Sequence, residues 1–179
     1  MGRIVPVPVN EAPGNYDTAA LFNAQVRDLN NFALGPPVFL GYATTAQSIA
    51  GSNAMVALNL DTETLDADGG HSTVTNTSRY TPTVAGLYLV FGSVGWPNTV
   101  TGDRRLQIGL NGGGVIGSGA SFDPSNAVTS GMQTSAFVTC NGSTDYIEVM
   151  AAQASGGAMN TSAGASIFTA SMRVLWISR

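Results

Sequence analysis

Tyr80-Thr81-Pro82-Thr83-Val84-Ala85-Gly86-Leu87-Tyr88-Leu89-Val90-Phe91 is the segment from which this chain is best read. An aromatic residue closes a polar run, Pro82 and Gly86 follow, and an almost unbroken apolar stretch then reaches Trp96. A strand reads this way when both of its faces are covered. In a small all-β protein the sandwich core covers one face, and the other needs a partner surface. The segment therefore points to assembly before it points to chemistry.

Outward from it, the pattern predicts strands at 38–43, 54–64, 72–80, 86–96, 104–110, 115–122, 131–140, 145–154 and 166–177. Turn signals separate them: Gly69-Gly70, Asn98 to Gly102, Asn111-Gly112-Gly113-Gly114, Asp123-Pro124, Asn141-Gly142 and Gly156-Gly157. Leu106, Ile108 and Leu110 alternate with Arg105, Gln107 and Gly109, as in a half-buried strand. In the last strand Phe168, Ala170, Met172, Val174 and Trp176 share one face. Strands at this spacing predict an all-β fold of about eight to ten antiparallel strands, a jelly-roll sandwich or a related one.

The N-terminal part reads differently. Alternating Pro and Val from Val5 to Val9 favours an extended arm over residues 1–15. A helix is predicted over 17–34, capped by Asp17 or Thr18 and stopped by Gly35-Pro36-Pro37. Phe22, Val26, Leu29 and Ala33 recur at helical spacing and form an apolar stripe that must pack on the chain's own β domain or on a neighbour. The expected division is an arm and helix over 1–37 and a jelly roll over 38–179.

Composition narrows the function. Of 179 residues, 44% are hydrophobic and 10% charged, against about 25% charged in an average globular protein. The surface is thus Ser, Thr, Asn, Gln and Gly, as in proteins packed into assemblies or exposed outside cells. All 7 basic residues are Arg and the net charge is -4. Arg104-Arg105 is the sole basic cluster, either a solvated strand start or a carboxylate site for a neighbouring chain. Nucleic-acid binding, which needs a basic stripe, is not expected. Residues 1–9 lack the apolar core of a signal peptide, and no run approaches the length of a membrane span.

Catalysis needs convergent titratable groups. The single His71 sits in what reads as a solvated loop, and the single Cys140 reads as a small buried apolar residue. Zinc chemistry and Cys–His catalysis are therefore not expected, no Gly-x-Ser-x-Gly elbow precedes a helix, and no cofactor is implied. Asp61, Glu63, Asp66 and Asp68 form the one acidic cluster. It lacks EF-hand spacing and reads as a solvated acidic loop, with calcium as the minor alternative.

Four pieces of the chain resemble the tumour-necrosis-factor-like jelly roll, in its complement globular-head branch. They are Tyr80 followed after five residues by Gly86-Leu87-Tyr88; Leu106 to Leu110 with Asn111-Gly112; Asn141 to Val149; and Ser166 to Leu175. The resemblance spans about residues 38–177 and implies a tight homotrimer around a threefold axis. Some globular-head relatives bind calcium at loops. The family's aromatic residues two and four positions after the Tyr are Val90 and Gly92 here, and Phe91 and Trp96 are expected to supply that bulk from shifted positions. Tyr80, Tyr88, Phe91, Trp96, Phe168, Met172 and Trp176 are the expected core or trimer-interface residues.

Asp17 to Asp28, with Asn31-Phe32 and Pro36-Pro37, is similar to the N-terminal segment of many small virion proteins of tailed phages of actinobacteria. This implies a non-enzymatic structural protein on the particle exterior: a trimer that decorates or cements the capsid, partnered by itself and by the major capsid protein or tail proteins. Val5, Val7, Val9, Phe22, Val26 and Leu29 are the expected attachment residues. The alternatives are a minor tail protein or a receptor-binding module that grips a host-surface glycan through Trp96-Pro97 or Tyr16.

Overall fold

A computed structural model describes residues 5–10, 12–14, 16, 18–99, 101–124, 129–164 and 166–179. Asp17, one of the two expected helix caps, lies outside the described residues. Thr18 does cap the helix, its Oγ1 accepting the Leu21 N–H at 3.2 Å. The helix runs through α1 (Ala19–Phe22), a π turn (Asn23–Arg27) and α2 (Asp28–Leu34).

Twelve strands follow among the described residues: β1 (Val38–Tyr42), β2 (Ser48–Ile49), β3 (Val56–Ala57), β4 (Thr62–Asp66), β5 (Gly86–Trp96), β6 (Arg104–Leu110), β7 (Gly113–Gly114), β8 (Ala120–Phe122), β9 (Ser130–Cys140), β10 (Ile147–Gln153), β11 (Met159–Asn160) and β12 (Ser171–Ser178). One sheet has the order β4-β1-β12-β5-β9. A second has the order β3-β10-β6-β7, with β8 also on β6, and β2 pairs with β11 as a separate two-stranded ribbon. All pairings are antiparallel, as a jelly roll requires.

The Tyr80–Phe91 segment joins the two sheets. Tyr80 exchanges backbone hydrogen bonds with Ile147 of β10, at 3.0 and 2.8 Å, while its fully buried ring stacks on Phe39 of β1 at 4.8 Å. Gly86 then opens β5 at φ 151°, and a side chain there would collide with Ser178 O at 2.3 Å and Trp176 Nε1 at 2.4 Å. Two residues on, Tyr88 is fully buried and its hydroxyl donates to Val84 O at 2.6 Å. The spacing in the sequence is thus a corner in space: one aromatic ring on each side of a turn that only glycine fits. The other legible hairpin is β6–β7, where Asn111 at φ 53° and Gly112 at φ 80° make the turn.

Several expectations need correction. Residues 72–80 do not form a strand; they are a turn-rich loop tethered by isolated bridges at His71–Tyr80 and Tyr80–Ile147. The span 54–64 is two short strands in different sheets, β3 on β10 and β4 on β1. The last strand starts at Ser171, because Ser166 to Phe168 turn instead. Gly92 needs no substitute bulk from Phe91: the opposite sheet closes on it, and an added Cβ would meet Val149 Cγ1 at 2.8 Å and Ile108 Cδ1 at 3.1 Å. Phe91 points away from the core and is 46% exposed.

Candidate functional site

Alternation along the strands sorts the five-stranded sheet into two faces. Tyr88, Val90 and Val94 of β5, Met132 and Val138 of β9, Phe39 of β1, and Met172 and Val174 of β12 fill the core. The intervening residues point outward, and the register places them in rows. Val38, Leu175, Leu89 and Phe137 form one row across four strands. Leu65, Leu40, Arg173, Phe91 and Ser135 form the next. Tyr42, Ser171, Ser93 and Gln133 form a third, in which the Ser93 and Ser171 hydroxyls lie 2.6 Å apart. The outer face thus grades from wholly apolar to polar. Its apolar end leaves Leu65 45%, Phe91 46%, Phe137 61%, Leu175 38% and Ile177 41% exposed. Large contiguous apolar patches are rare on the surface of monomeric proteins.

Of the residues expected in the core or interface, Tyr80, Tyr88, Trp96 and Met172 are core residues. Phe91 belongs to the outer face. Phe168 is half-buried and lies across the paired Gly95 and Gly131 at the polar end, where a Cβ added at Gly95 would meet its carbonyl oxygen at 2.2 Å and one added at Gly131 its ring at 2.6 Å. Trp176 is half-buried beneath the helix, edge-on to Phe32 at 4.8 Å, with its Nε1–H donating to Ala85 O at 3.3 Å.

That contact sets the helix orientation. Phe32 is buried and Leu21, Gln25 and Asp28 are half-buried, whereas Phe22, Val26 and Leu29 are 56%, 41% and 38% exposed. The expected stripe therefore does not pack on the chain's own β domain. In the arm, Val5 is half-buried while Val7 and Val9 are 62% and 63% exposed. Val5, Pro6 and Val7 border a groove of about 780 Å³ whose other wall is the helix at Ala24, Asp28 and Phe32.

The titratable groups are engaged structurally. Asp61 accepts from Thr44 N–H at 2.6 Å, Thr44 Oγ1 at 2.9 Å and Thr45 N–H at 2.9 Å. Partial burial pushes its carboxyl up, but these hydrogen bonds outweigh it and hold the group at about 2. Asp66 accepts from Gly70 N–H and His71 N–H, and Glu63 faces His71. Among the described residues no three His, Cys, Asp or Glu side chains converge as a metal site. Burial pushes the Cys140 thiol up to about 12, assisted by nearby Asp145, which makes it a poor nucleophile. Burial likewise raises Tyr80 and Tyr88.

Two expectations at the far end of the sandwich fail on burial. Trp96 is 1% exposed and offers no face to a sugar. Arg104 is fully buried over that ring at 5.6 Å, and its Nη1 donates to Gly102 O and Asp103 O. It is therefore neither a solvated strand start nor a site for another chain's carboxylate, whereas Arg105 is exposed beside Asp103. Arg104 shares the parity of Leu106, Ile108 and Leu110, so the alternation does extend the buried face to it; its charge alone argued for solvent. Phe137, Leu89, Leu175 and Leu65 are outer-face residues that sequence reading missed; they become one surface only once the register is known.

No protein-family model matches the sequence, and no curated protein is similar to it. Solved structures are. The chain superposes on the globular domain of zebrafish complement 1qA protein with a TM-score of 0.57 at 13% identity, covering 80% of this chain and 98% of that one. It superposes on murine APRIL with a TM-score of 0.55 at 12% identity, covering 79% and 98%. At these identities the likeness is one of fold: a tumour-necrosis-factor-like jelly roll.

Proposed function

We propose that the chain is a non-enzymatic structural protein that forms a homotrimer through the outer face of its five-stranded sheet and sits on the exterior of a bacteriophage particle as a capsid decoration protein. The observation that carries the assembly half is the row Val38–Leu175–Leu89–Phe137 with Phe91 and Leu65 beside it, a largely apolar surface built across five strands and interrupted by Arg173. An obligate interface commonly buries about 2,000 Å² or more, and this face is the extended apolar surface available to supply it.

The arm and helix serve attachment in this reading. Val7, Val9, Phe22, Val26 and Leu29 present apolar side chains to solvent. An extended Pro-Val segment has little to bury by itself, and it can add backbone hydrogen bonds to a sheet edge of the major capsid protein. The resemblance of residues 17–37 to segments of actinobacteriophage virion proteins supports a place on the particle, and its frequency among minor tail proteins favours a tail location as the second reading.

The test separates the halves. Full-length protein and protein lacking residues 1–15 are added to particles that lack it and sedimented. The truncated chain is expected to stay trimeric and to remain in the supernatant. Full occupancy by the truncated trimer would place attachment in the jelly roll.

A further inference from the structure

His71 is the single histidine of the chain, and its ring is sealed from solvent, with 0% side-chain exposure. It lies against Phe39 at 4.8 Å between ring centroids, and Phe39 stacks in turn on Tyr80. Its Nε2 is 3.0 Å from Thr77 O, and its Nδ1 is 3.0 Å from Glu63 Oε2 on β4. A carbonyl oxygen only accepts, so Nε2 carries a hydrogen. Thr77 O also receives the Leu60 N–H at 2.9 Å, which occupies both of its lone pairs. The tautomer is then fixed, and a neutral ring would turn a bare Nδ1 lone pair toward a carboxylate oxygen. Two acceptors do not share a hydrogen bond. The contact exists only when the pair holds one further proton, on Nδ1 or on Oε2.

We propose that His71 and Glu63 form a proton-dependent latch that holds the loop 69–80 against the edge strand β4. With the proton bound, the imidazole bridges β4 to Thr77. When the proton leaves, the two acceptors repel and Glu63, whose side chain is 38% exposed, swings into solvent. The ring has no such exit. The latch closes the open side of the sandwich, because β4 is the outermost strand of one sheet, while Tyr80, at the end of the loop, pairs with β10 of the other.

The surrounding charges leave Glu63 as the group that matters. Asp66 bonds the His71 main-chain N–H at 2.9 Å, not the ring. Asp68 lies in the same turn. Arg79 borders the same cleft, but its guanidinium is stacked on Tyr146 at 4.1 Å and its Nε is directed to Glu148 at 3.4 Å. Tyr80 stays neutral because burial raises it. The sign follows. The closed latch holds one proton more than the open one. Its stabilisation is therefore fullest in mildly acidic solution and is lost as pH rises.

The decisive variant is Glu63→Gln. Its amide N–H donates to Nδ1 while Nε2 keeps its hydrogen, so the contact no longer needs a proton. Melting temperatures are measured from pH 6 to pH 8.5 for both proteins, with hydrogen exchange followed at the Leu60 amide. The wild type is expected to lose up to about 3–5 °C per pH unit across part of this range, the slope of one linked proton in a domain of this size. Its Leu60 amide loses protection, corrected for intrinsic exchange, over the same range. The variant is expected to show less than half that slope. Parallel slopes would overturn the latch. Nitrogen-15 spectra of the single imidazole provide a check that needs no variant: an Nδ1 that neither carries a proton nor accepts a hydrogen bond, coexisting with a protected Leu60 amide, also overturns it.

Discussion

Replacing Phe137 by Asp strikes the proposed assembly surface without touching the core. Phe137 is 61% exposed in the isolated chain and sits in mid-strand, opposite Leu89 and in the same row as Leu175. A phenylalanine presents roughly 200 Å², so about 120 Å² of its apolar surface remains to be covered by a neighbour. At about 25 cal/mol per Å² this is about 3 kcal/mol per protomer, and closure of a threefold ring multiplies it by three. The carboxylate adds the cost of desolvating a charge at the same place. The trimer is therefore expected to weaken by several orders of magnitude in dissociation constant. The folded protomer should survive, because Met132 and Val138, on the other side of β9, keep their core packing. Sedimentation velocity at micromolar concentration reads the mass, and far-ultraviolet circular dichroism reads the fold. A wild type that sediments as a monomer, or a Phe137→Asp variant that sediments as a trimer, refutes the argument. Gln133→Asp, on the polar row of the same strand, should leave the mass unchanged.

The core and the loops give two further expectations. Tyr88→Phe strands the buried Val84 carbonyl that the hydroxyl serves at 2.6 Å, at a cost of about 1–3 kcal/mol in urea unfolding. Tyr88→Ala opens a cavity costing about 3–5 kcal/mol and is expected to aggregate, so a melting point within a degree or two of wild type would contradict the packing described. Asp61 is held at about 2 by the Thr44 and Thr45 hydrogen bonds. A depressed carboxyl stabilises the fold above its unfolded value of about 3.9 and loses that contribution as pH falls toward 2. Asp61→Asn is accordingly expected to cost about 1–2 kcal/mol at pH 7, discounted for partial exposure, and to converge with wild type near pH 2; an equal deficit at both pH values would show that the loss is one of shape and not of charge.

Much of the β architecture could be read from the chain because it rests on local rules. Apolar alternation at Leu106, Ile108 and Leu110 obeys the pleat, and Asn111-Gly112 supplies the positive φ values of a tight hairpin. Tyr80, Gly86 and Tyr88 announce a corner that only a glycine can turn, and five-residue spacing carries that signal without any alignment. The helix boundaries followed from Thr18 and Gly35-Pro36-Pro37 for the same reason. Other properties depend on which distant strands meet, and these only the tertiary structure decided. Outward residues become a surface when the register brings Leu89, Leu175 and Phe137 side by side from strands far apart in sequence. Glycine at position 92 is explained by Val149 and Ile108 arriving from the opposite sheet. His71 reads as a solvated loop residue until Phe39, Glu63 and Thr77 close around its ring. The helix stripe illustrates the same limit from the other side: periodicity grouped Phe22, Val26 and Leu29, but it was the single ring contact of Phe32 with Trp176 that decided which side of the helix faces the domain. Spacing along a chain determines what a segment can bury. What it does bury depends on the contacts made across the sandwich, and those have no local signature.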